Sequence, residues 1–365
     1  MNGTSLFANI GVAEFFLEES GISILVANEI DKKRAELYSH FYPKCNMITG
    51  DILNQDIFDK VVNESIKNNC EFLIATPPCQ GMSVAGKRDY ENDERNSLVI
   101  RVFDYIKKVS PNYVMIENVE QQLNTKIKYD NVVKTIQEHL VSNFSQEYYF
   151  NDNPVINARD YGIPQNRKRA IILMSKIKKW NFPQKDEKEV TVRSAIGHLP
   201  SLEPLIKEEF SGDNKKFWKY NEYHYPSIHP KRHIEAMIHT PTGKSAFDNE
   251  VYYPKKADGT RVKGYNTTYK RMSWDTVAPT ITTANGVLSS QCNVHPGNEI
   301  IKGIYDNARV LSIFEIMLLM TIPTDIKFPK EFSESFIRKT IGEGIPPLLV
   351  KKIISTLPKK GAVAN

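Results

Sequence analysis

The chain has 365 residues, 41% of them hydrophobic and 25% charged, which is ordinary for a globular protein and suits two domains or one large one. There is no apolar run near the roughly 20 residues of a membrane span, no secretory leader pattern, and no CxxC pair among Cys45, Cys70, Cys79 and Cys292. A membrane protein, a secreted protein and a disulfide scaffold are therefore disfavoured, whereas the net charge of +5 decides nothing as a total.

The first 175 residues alternate short apolar runs with amphipathic stretches. Residues 4–7 predict a strand, and after Gly11 the helical spacing of Val12, Phe15 and Phe16 predicts a helix that Gly21 ends. Residues 22–27 form a second apolar run closed by Asn28-Glu29. Residues 31–41 read as helix, 47–49 as a brief strand before Gly50-Asp51, and 57–69 as helix. A strand over 72–75 stops at Pro77-Pro78-Cys79. Residues 113–116 run into Glu117-Asn118, and 170–174 follow Arg167 and Arg169. This alternation predicts a parallel sheet with helices on both faces. Glu29, Asp51, Cys79 and Glu117 each follow an apolar strand, and in such a sheet the carboxyl ends of the strands face one ligand-binding crevice. Any one of them is more simply a polar turn residue. Four together, with a cysteine among them, point to a site.

From about residue 181 the alternation weakens and aromatic and basic residues interleave. Residues 211–275 hold twelve Lys/Arg against seven Asp/Glu, a net +5 that equals the excess of the whole chain. Such a segment fits a polyanion, most simply nucleic acid, as well as it fits a solvated face. His224, His229, His233 and His239 match no zinc spacing, so no metal is expected and these histidines are read as surface or DNA-contacting groups. The tyrosines and tryptophans of the segment are read as core fillers rather than stacking platforms. Residues 279–283 then look strand-like, 313–320 helical, and 346–357 a short terminal helix.

Two prolines hold the thiol of Cys79 on a stiff turn, and a thiolate is a strong nucleophile. Residues 81–96 are rich in glycine and charge and read as a loop able to close over a substrate. Cys45, Cys70 and Cys292 are read as structural.

Pro77-Pro78-Cys79-Gln80-Gly81 resembles the catalytic motif of the DNA (cytosine-5)-methyltransferases. The resemblance continues in order through residues 5–11, Glu29, Gly50-Asp51-Ile52, Glu117-Asn118-Val119, the Gln165-x-Arg167-x-Arg169 block, residues 279–283, Arg309 to Glu315, and 341–347. It implies an α/β fold: a Rossmann-like, S-adenosylmethionine-dependent methyltransferase sheet with a second, smaller target-recognition domain. The expected catalytic and cofactor-binding domain is 1–185 plus 333–365, and the expected DNA-reading domain is 186–332, with the cytosine in the cleft between them. The implied function is modification of a specific double-stranded DNA sequence by a bacterial cytosolic or nucleoid monomer, alongside a separately acting restriction endonuclease. A tRNA substrate within the same family, or a non-catalytic DNA-binding protein on this fold, are the alternatives, and the long recognition segment argues against tRNA.

Carbon 5 of cytosine is a poor nucleophile until a thiolate adds to carbon 6, and an acid at N3 then lowers the barrier. Cys79 fits the first role, and Glu117 fits the second where burial keeps it protonated. By resemblance Arg169 holds the cytosine O2 and Arg167 anchors backbone or solvent near Cys79. The base must leave the duplex to react. Gln80, Ser83 and Arg95 of the 80–95 segment, with Lys215, Lys216, Lys255 and Lys256, are the expected DNA contacts. For S-adenosylmethionine, Glu29 suits the ribose hydroxyls and Asp51 the adenine amino group. Phe7, Ile10 and Ile30 would sandwich its apolar parts, with Gly11, Ile52 and Pro77 beside them. A dinucleotide is disfavoured because the first turn lacks GxGxxG. That turn has Asn9 and Val12 where the family usually has glycines, and Glu343 stands where the family usually has Asn. Asn tolerates the left-handed conformation, so Asn9 is expected to keep the turn.

Overall fold

The computed structural model describes residues 1–78, 96–288 and 293–359. The chain divides into two compact units. The first comprises Met1–Tyr161, Lys168–Lys185 and Pro347–Asn365, and the second Gly162–Arg167 and Asp186–Pro346. The chain thus re-enters the first unit at Pro347, and residues 333–346, expected with the catalytic sheet, pack within the second.

In the first unit the strands are β1 (Asn2–Leu6), β2 (Ser23–Glu29), β3 (Asn46–Thr49), β4 (Cys70–Ala75), β5 (Tyr113–Asn118), β6 (Lys126–Tyr129), β7 (Val132–Thr135), β8 (Tyr149–Phe150), β9 (Val155–Asn157) and β10 (Lys168–Ser175). The main sheet runs β3-β2-β1-β4-β5-β10-β8, with β9 also on β10, while β6 and β7 form a separate hairpin. Strands β3, β2, β1, β4 and β5 are mutually parallel, whereas β10 runs antiparallel to β5 and to both β8 and β9. The wholly parallel sheet read from the sequence is therefore a mixed one. The alternating run of residues 1–118 produces most of its parallel part, a helix over Ile136–Phe144 leads on to β8 and β9, and β10 returns antiparallel beside β5.

Helices α1 (Lys32–Phe41), α2 (Gln55–Lys67), α3 (Asn96–Val109) and α4 (Ile136–Phe144) follow in chain order, and three of them start where short polar side chains cap orphan amides. Asp31 accepts from the Arg34 amide, Asn54 from those of Asp56 and Ile57, and Thr135 forms a capping box with Glu138. Phe58, Val61 and Val62 of α2, Val102 and Phe103 of α3, and Leu140 and Phe144 of α4 share one core with Leu6, Leu73, Ala75, Val114 and Ile116 of the sheet. Phe72 and Tyr113 project from the other face against Trp180, with ring centroids 6.5 and 6.3 Å away. The indole of Trp180 donates to the Ile353 carbonyl of the terminal helix α9 (Pro347–Ile354) at 3.2 Å, which fastens that helix to the unit.

The second unit is mostly irregular. It holds α5 (Val192–Ile196), α6 (Lys231–Ile238), α7 (Ile313–Leu319) and α8 (Glu334–Glu343), with two short strand pairs, β11 (Leu205–Ile206) with β12 (Ile228–His229) and β13 (Glu299–Ile301) with β14 (Ile304–Tyr305). Irregular backbone leaves buried carbonyls to be paired. Here buried arginines pair them. Arg271 donates to the carbonyls of Met237, Thr240, His295 and Pro296 at 2.6–3.1 Å. Arg309 grips Glu315 with two 2.8 Å bonds and also reaches the Leu202 carbonyl. The strand expected at 279–283 is absent because its backbone is taken by side chains: Gln165 accepts the Ile281 amide and Arg167 donates to the Ile281 carbonyl.

The helix expected after Gly11 is also different. Val12–Glu14 is a single 3-10 turn, followed by further i→i+3 turns to Gly21. Its geometry is set by Glu14, buried behind β1, whose Oε1 accepts from Ser5 Oγ at 2.6 Å. Burial pushes this carboxyl from the ordinary 4.5 up to about 7, against the smaller opposing effect of the Ser5 bond. A carboxyl raised on folding is favourable below its unfolded value, and its contribution is lost as pH rises towards the folded value. Denaturant unfolding should therefore show wild-type stability falling between pH 4.5 and about 7 relative to Glu14→Gln, by up to about 3 kcal/mol at roughly 1.4 kcal/mol per unit. Parallel profiles for the two proteins from pH 4 to 8 would contradict it.

Candidate active site

The carboxyl ends of β1, β2, β4 and β5 lie on one edge of the first unit's sheet, because Leu6 pairs with both Asn28 and Ala75, and Ala75 with Ile116. The turn leaving β1 is unusual. Phe7, Asn9 and Gly11 all have left-handed backbone, with φ of +59°, +50° and +78°. Asn9 thus adopts the conformation expected of a glycine substitute. Its amide donates to Glu29 Oε2 at 2.8 Å, and the Asp31 amide donates to Oε1 at 2.9 Å. Glu29 is buried at the end of β2, held by backbone on both oxygens.

The neighbouring strand ends are tied to this turn. Asn28 Nδ2 donates to the Ile48 and Gly50 carbonyls at 2.8 and 3.1 Å, which sets the exit of β3. Asp51 follows, exposed, with one oxygen accepting the Leu53 amide at 2.9 Å. Thr76 Oγ1 donates to the Phe7 carbonyl at 3.0 Å, and Asn118 Nδ2 donates to the buried Pro77 carbonyl at 2.5 Å. Of the apolar residues expected to sandwich a ligand, Phe7 is half-buried and Ile30 is 64% exposed. Ile10 and Ile52 are buried to within 2%, so their side chains belong to the core and the expected sandwich reduces to Phe7 and Ile30. Carboxylate acceptors beside two open apolar side chains, without a triple-glycine turn, suit a ligand offering hydroxyl and amino donors better than a pyrophosphate.

Cys79, Gln80, Ser83 and Arg95, and with them the expected closing loop, lie outside the described residues, as does Cys292. Glu117 and Arg169 do converge. The antiparallel register sets Ile171 opposite Glu117, and Arg169 Nε lies 2.8 Å from Glu117 Oε1, with the two side chains 16% and 9% exposed. Arg169 also donates to the Lys168 carbonyl at 2.7 Å. With Cys79 outside the described residues, Arg167 anchors backbone, as expected. It is 1% exposed, within the second unit, and its guanidinium donates to the carbonyls of Ile281, Gly342 and Gly344 at 2.7–3.2 Å. It has no surface to offer a substrate and acts as an internal clamp.

On the second unit, Lys215 and Lys216 are exposed beside Phe217, Trp218 and Tyr220, which are 51–65% exposed. Trp218 and Tyr220 are surface groups, contrary to the expectation of core fillers, although Tyr223, Tyr225 and Tyr269 are buried as expected. A second basic element is a tight loop closed by the Lys255–Arg261 bridge, with the Val262 amide donating to the Pro254 carbonyl. Lys255 and Arg261 lie over the Tyr253 ring at 5.1 and 4.7 Å, while Lys256, Lys263 and Tyr265 project, the last 82% exposed. Lys263 and Tyr265 escape the sequence pattern; the Asp258-Gly259 turn inside a basic run is the signal that could have found them. His224 and His229 are buried, not superficial: His224 bonds Ser312 and the Pro200 carbonyl, and burial pushes His229 down to about 3. Among the described residues no group of three side chains could hold a metal ion.

The model of the C-5 cytosine-specific DNA methylase family matches residues 1–359. The Type II methyltransferase M1.HgaI of Avibacterium volantium is 48% identical over 96% of each chain. The Type II methyltransferase M.DdeI of Desulfomicrobium norvegicum is 26% identical over 97% of this chain and 87% of its own. The fold matches that of a prophage-encoded E. coli protein described as a putative DNA modification methyltransferase, at a TM-score of 0.67 and 18% identity, over 98% of both chains.

Replacing Arg167 by Met keeps its bulk but strips its buried carbonyls of their donor, at about 1–3 kcal/mol for each acceptor left unpaired. Thermal unfolding of Arg167→Met should fall by several degrees, while Lys168→Met, at an exposed position, should unfold with the wild type. Equal midpoints for all three proteins would contradict the clamp.

Proposed function

The chain belongs to the C-5 cytosine-specific DNA methylases and is a DNA cytosine-5 methyltransferase; on that premise we propose that it modifies one specific duplex sequence, as the modification enzyme of a restriction–modification system, with Cys79 as nucleophile and S-adenosylmethionine as methyl donor. Enzymes of this family use S-adenosylmethionine. The observation that carries the assignment of roles is the Glu117–Arg169 pair, which stands at the end of β5 while Asn118 holds the Pro77 carbonyl on the segment leading to Cys79.

The target cytosine leaves the stack, since neither ring face is reachable inside a duplex. Cys79 Sγ adds to carbon 6, and the electrons displaced from the 5,6 double bond move towards N3. Glu117, protonated, gives its proton to N3 as that charge develops, and Arg169 orients Glu117 while facing the cytosine O2. S-adenosylmethionine, when bound, would supply an electrophilic methyl group to carbon 5 of the enamine, its methyl–sulfur bond breaking to leave the neutral thioether. Loss of the carbon-5 proton to water then expels the Cys79 thiolate from carbon 6, and return of the N3 proton to Glu117 restores the aromatic ring. Glu29 and Asp51 would hold the ribose hydroxyls and the adenine amino group, with Phe7 and Ile30 against its apolar surface.

The second unit is the DNA reader in this proposal. Of its basic segment, Arg271 is spent on internal carbonyls, which leaves the outward lysines to meet phosphate. Lys215 and Lys216, together with Lys255 and Lys256 at the 254–262 loop, supply that charge, and Tyr265 and Lys263 project beside it.

Incubation with methyl-labelled S-adenosylmethionine and mixed-sequence duplex DNA, with tRNA as competitor, tests the reading. Label should appear as 5-methylcytosine in DNA with wild type and fall below about one-thousandth of that rate in Cys79→Ala. Full activity in Cys79→Ala, or preferential labelling of tRNA, would contradict it. Replacing Lys215, Lys216, Lys255 and Lys256 by Gln should flatten the dependence of log affinity on log salt by about 0.9 for each phosphate that these lysines neutralise. An unchanged slope would mean that these lysines are only solvated surface.

A further inference from the structure

The turn after β1 keeps three left-handed residues within five positions, although it has lost two of the glycines usual in its family. Such backbone persists only where its surroundings over-determine it. Glu29 fixes the turn from the strand side through the Asn9 amide. The opposite side is held by a residue that no motif marks. Tyr42, the C-cap of α1, donates its hydroxyl to the Gly11 carbonyl at 2.6 Å. The Glu14 amide donates to the same oxygen at 3.1 Å, so this carbonyl is held by two donors.

The ring of Tyr42 lies flush on the glycine. A Cβ at position 11 would stand 2.2 Å from Tyr42 Cε2 and 3.0 Å from Tyr38 Cε2. Tyr38 and Tyr42 pack against one another with centroids 4.6 Å apart, and Phe15 lies 6.1 Å from Tyr42 on its other side. The ring is thus placed by its aromatic neighbours, and the hydroxyl is aimed by the ring. Burial, together with the carboxyl of Glu14, holds this phenol well above its ordinary range, so it remains a donor at any working pH.

We propose that Tyr42 is a positioning residue for cofactor binding: its hydroxyl locks the Gly11 carbonyl and holds the 7–11 turn in the conformation that receives the nucleoside methyl donor. This rests on the S-adenosylmethionine reading above. Without the hydroxyl, the turn samples other conformations, and the apparent affinity for the cofactor falls by the fraction of time spent in them. DNA binding and the chemistry at Cys79 do not use this bond.

The test is Tyr42→Phe, which deletes one oxygen and keeps the packing. Calorimetric titration with S-adenosylmethionine should give a dissociation constant about five- to tenfold weaker than wild type, as expected for removal of one hydrogen bond. The KM for the cofactor should rise in step, with kcat at saturating cofactor and DNA affinity unchanged and the unfolding midpoint lowered by no more than the few degrees that one hydrogen bond supplies. Cofactor affinity within twofold of wild type overturns the proposal, as does a weakening accompanied by a matching loss of kcat at saturating cofactor or of DNA affinity. If wild type itself binds no S-adenosylmethionine, the cofactor reading fails along with it; if wild type binds and Tyr42→Phe binds equally, only the role of Tyr42 fails.

Discussion

Parallel pairing on both sides of β1 is the constraint on which the site depends. A strand hydrogen-bonded in parallel to β2 and to β4 must deliver all three carboxyl ends to the same edge, whatever the intervening helices do. That edge receives the left-handed turn 7–11, the carboxylate of Glu29, and the Thr76-Pro77 exit of β4. Cross-links between neighbouring exits, from Asn28 to Gly50, Thr76 to Phe7 and Asn118 to Pro77, turn separate loops into one framework.

The antiparallel strand β10 adds what a purely parallel sheet could not. By running antiparallel beside β5 it sets Arg169 against Glu117, so a cation from residue 169 meets an acid from residue 117 across one strand spacing. The second unit solves a different problem. With little ladder pairing of its own, it satisfies buried carbonyls with the forked donors of Arg167, Arg271 and Arg309. Desolvation of Arg271 is severe enough to push its guanidinium down to about 10, and four carbonyls offset that cost.

The sequence disclosed the parallel half of the sheet because strands buried on both faces read as unbroken apolar runs, as in residues 72–75 and 113–116. The strand-end carboxylates were legible for the same reason. The turn of Val12–Glu14 reads as a helix because a buried glutamate tied to Ser5 leaves no mark in the spacing of apolar residues. Residues 279–283 look like a strand because Thr280, Ile281, Thr282 and Thr283 are β-branched, yet the partners of Ile281 are the side chains of Gln165 and Arg167. Charge was the least readable property. Arg167 and Arg271 look like surface cations by residue type and are wholly internal, whereas Trp218 and Tyr265, which look like core, stand in solvent. Tyr42 carries no motif at all, and only its approach to Gly11 reveals it.

The central claim is that cytosine chemistry takes place at this sheet edge, with Cys79 as nucleophile and the Glu117–Arg169 pair beside it. It is tested most directly by trapping the covalent intermediate. Duplex DNA carrying 5-fluorocytosine at the target position blocks the final loss of a proton from carbon 5, so the thioether cannot be released. The account expects a denaturation-resistant protein–DNA complex that forms only with S-adenosylmethionine present, whose DNA-bearing peptide contains Cys79, and whose rate of formation falls by orders of magnitude in Glu117→Gln. An adduct on any other residue, or methyl transfer to cytosine with no adduct trapped, would contradict it.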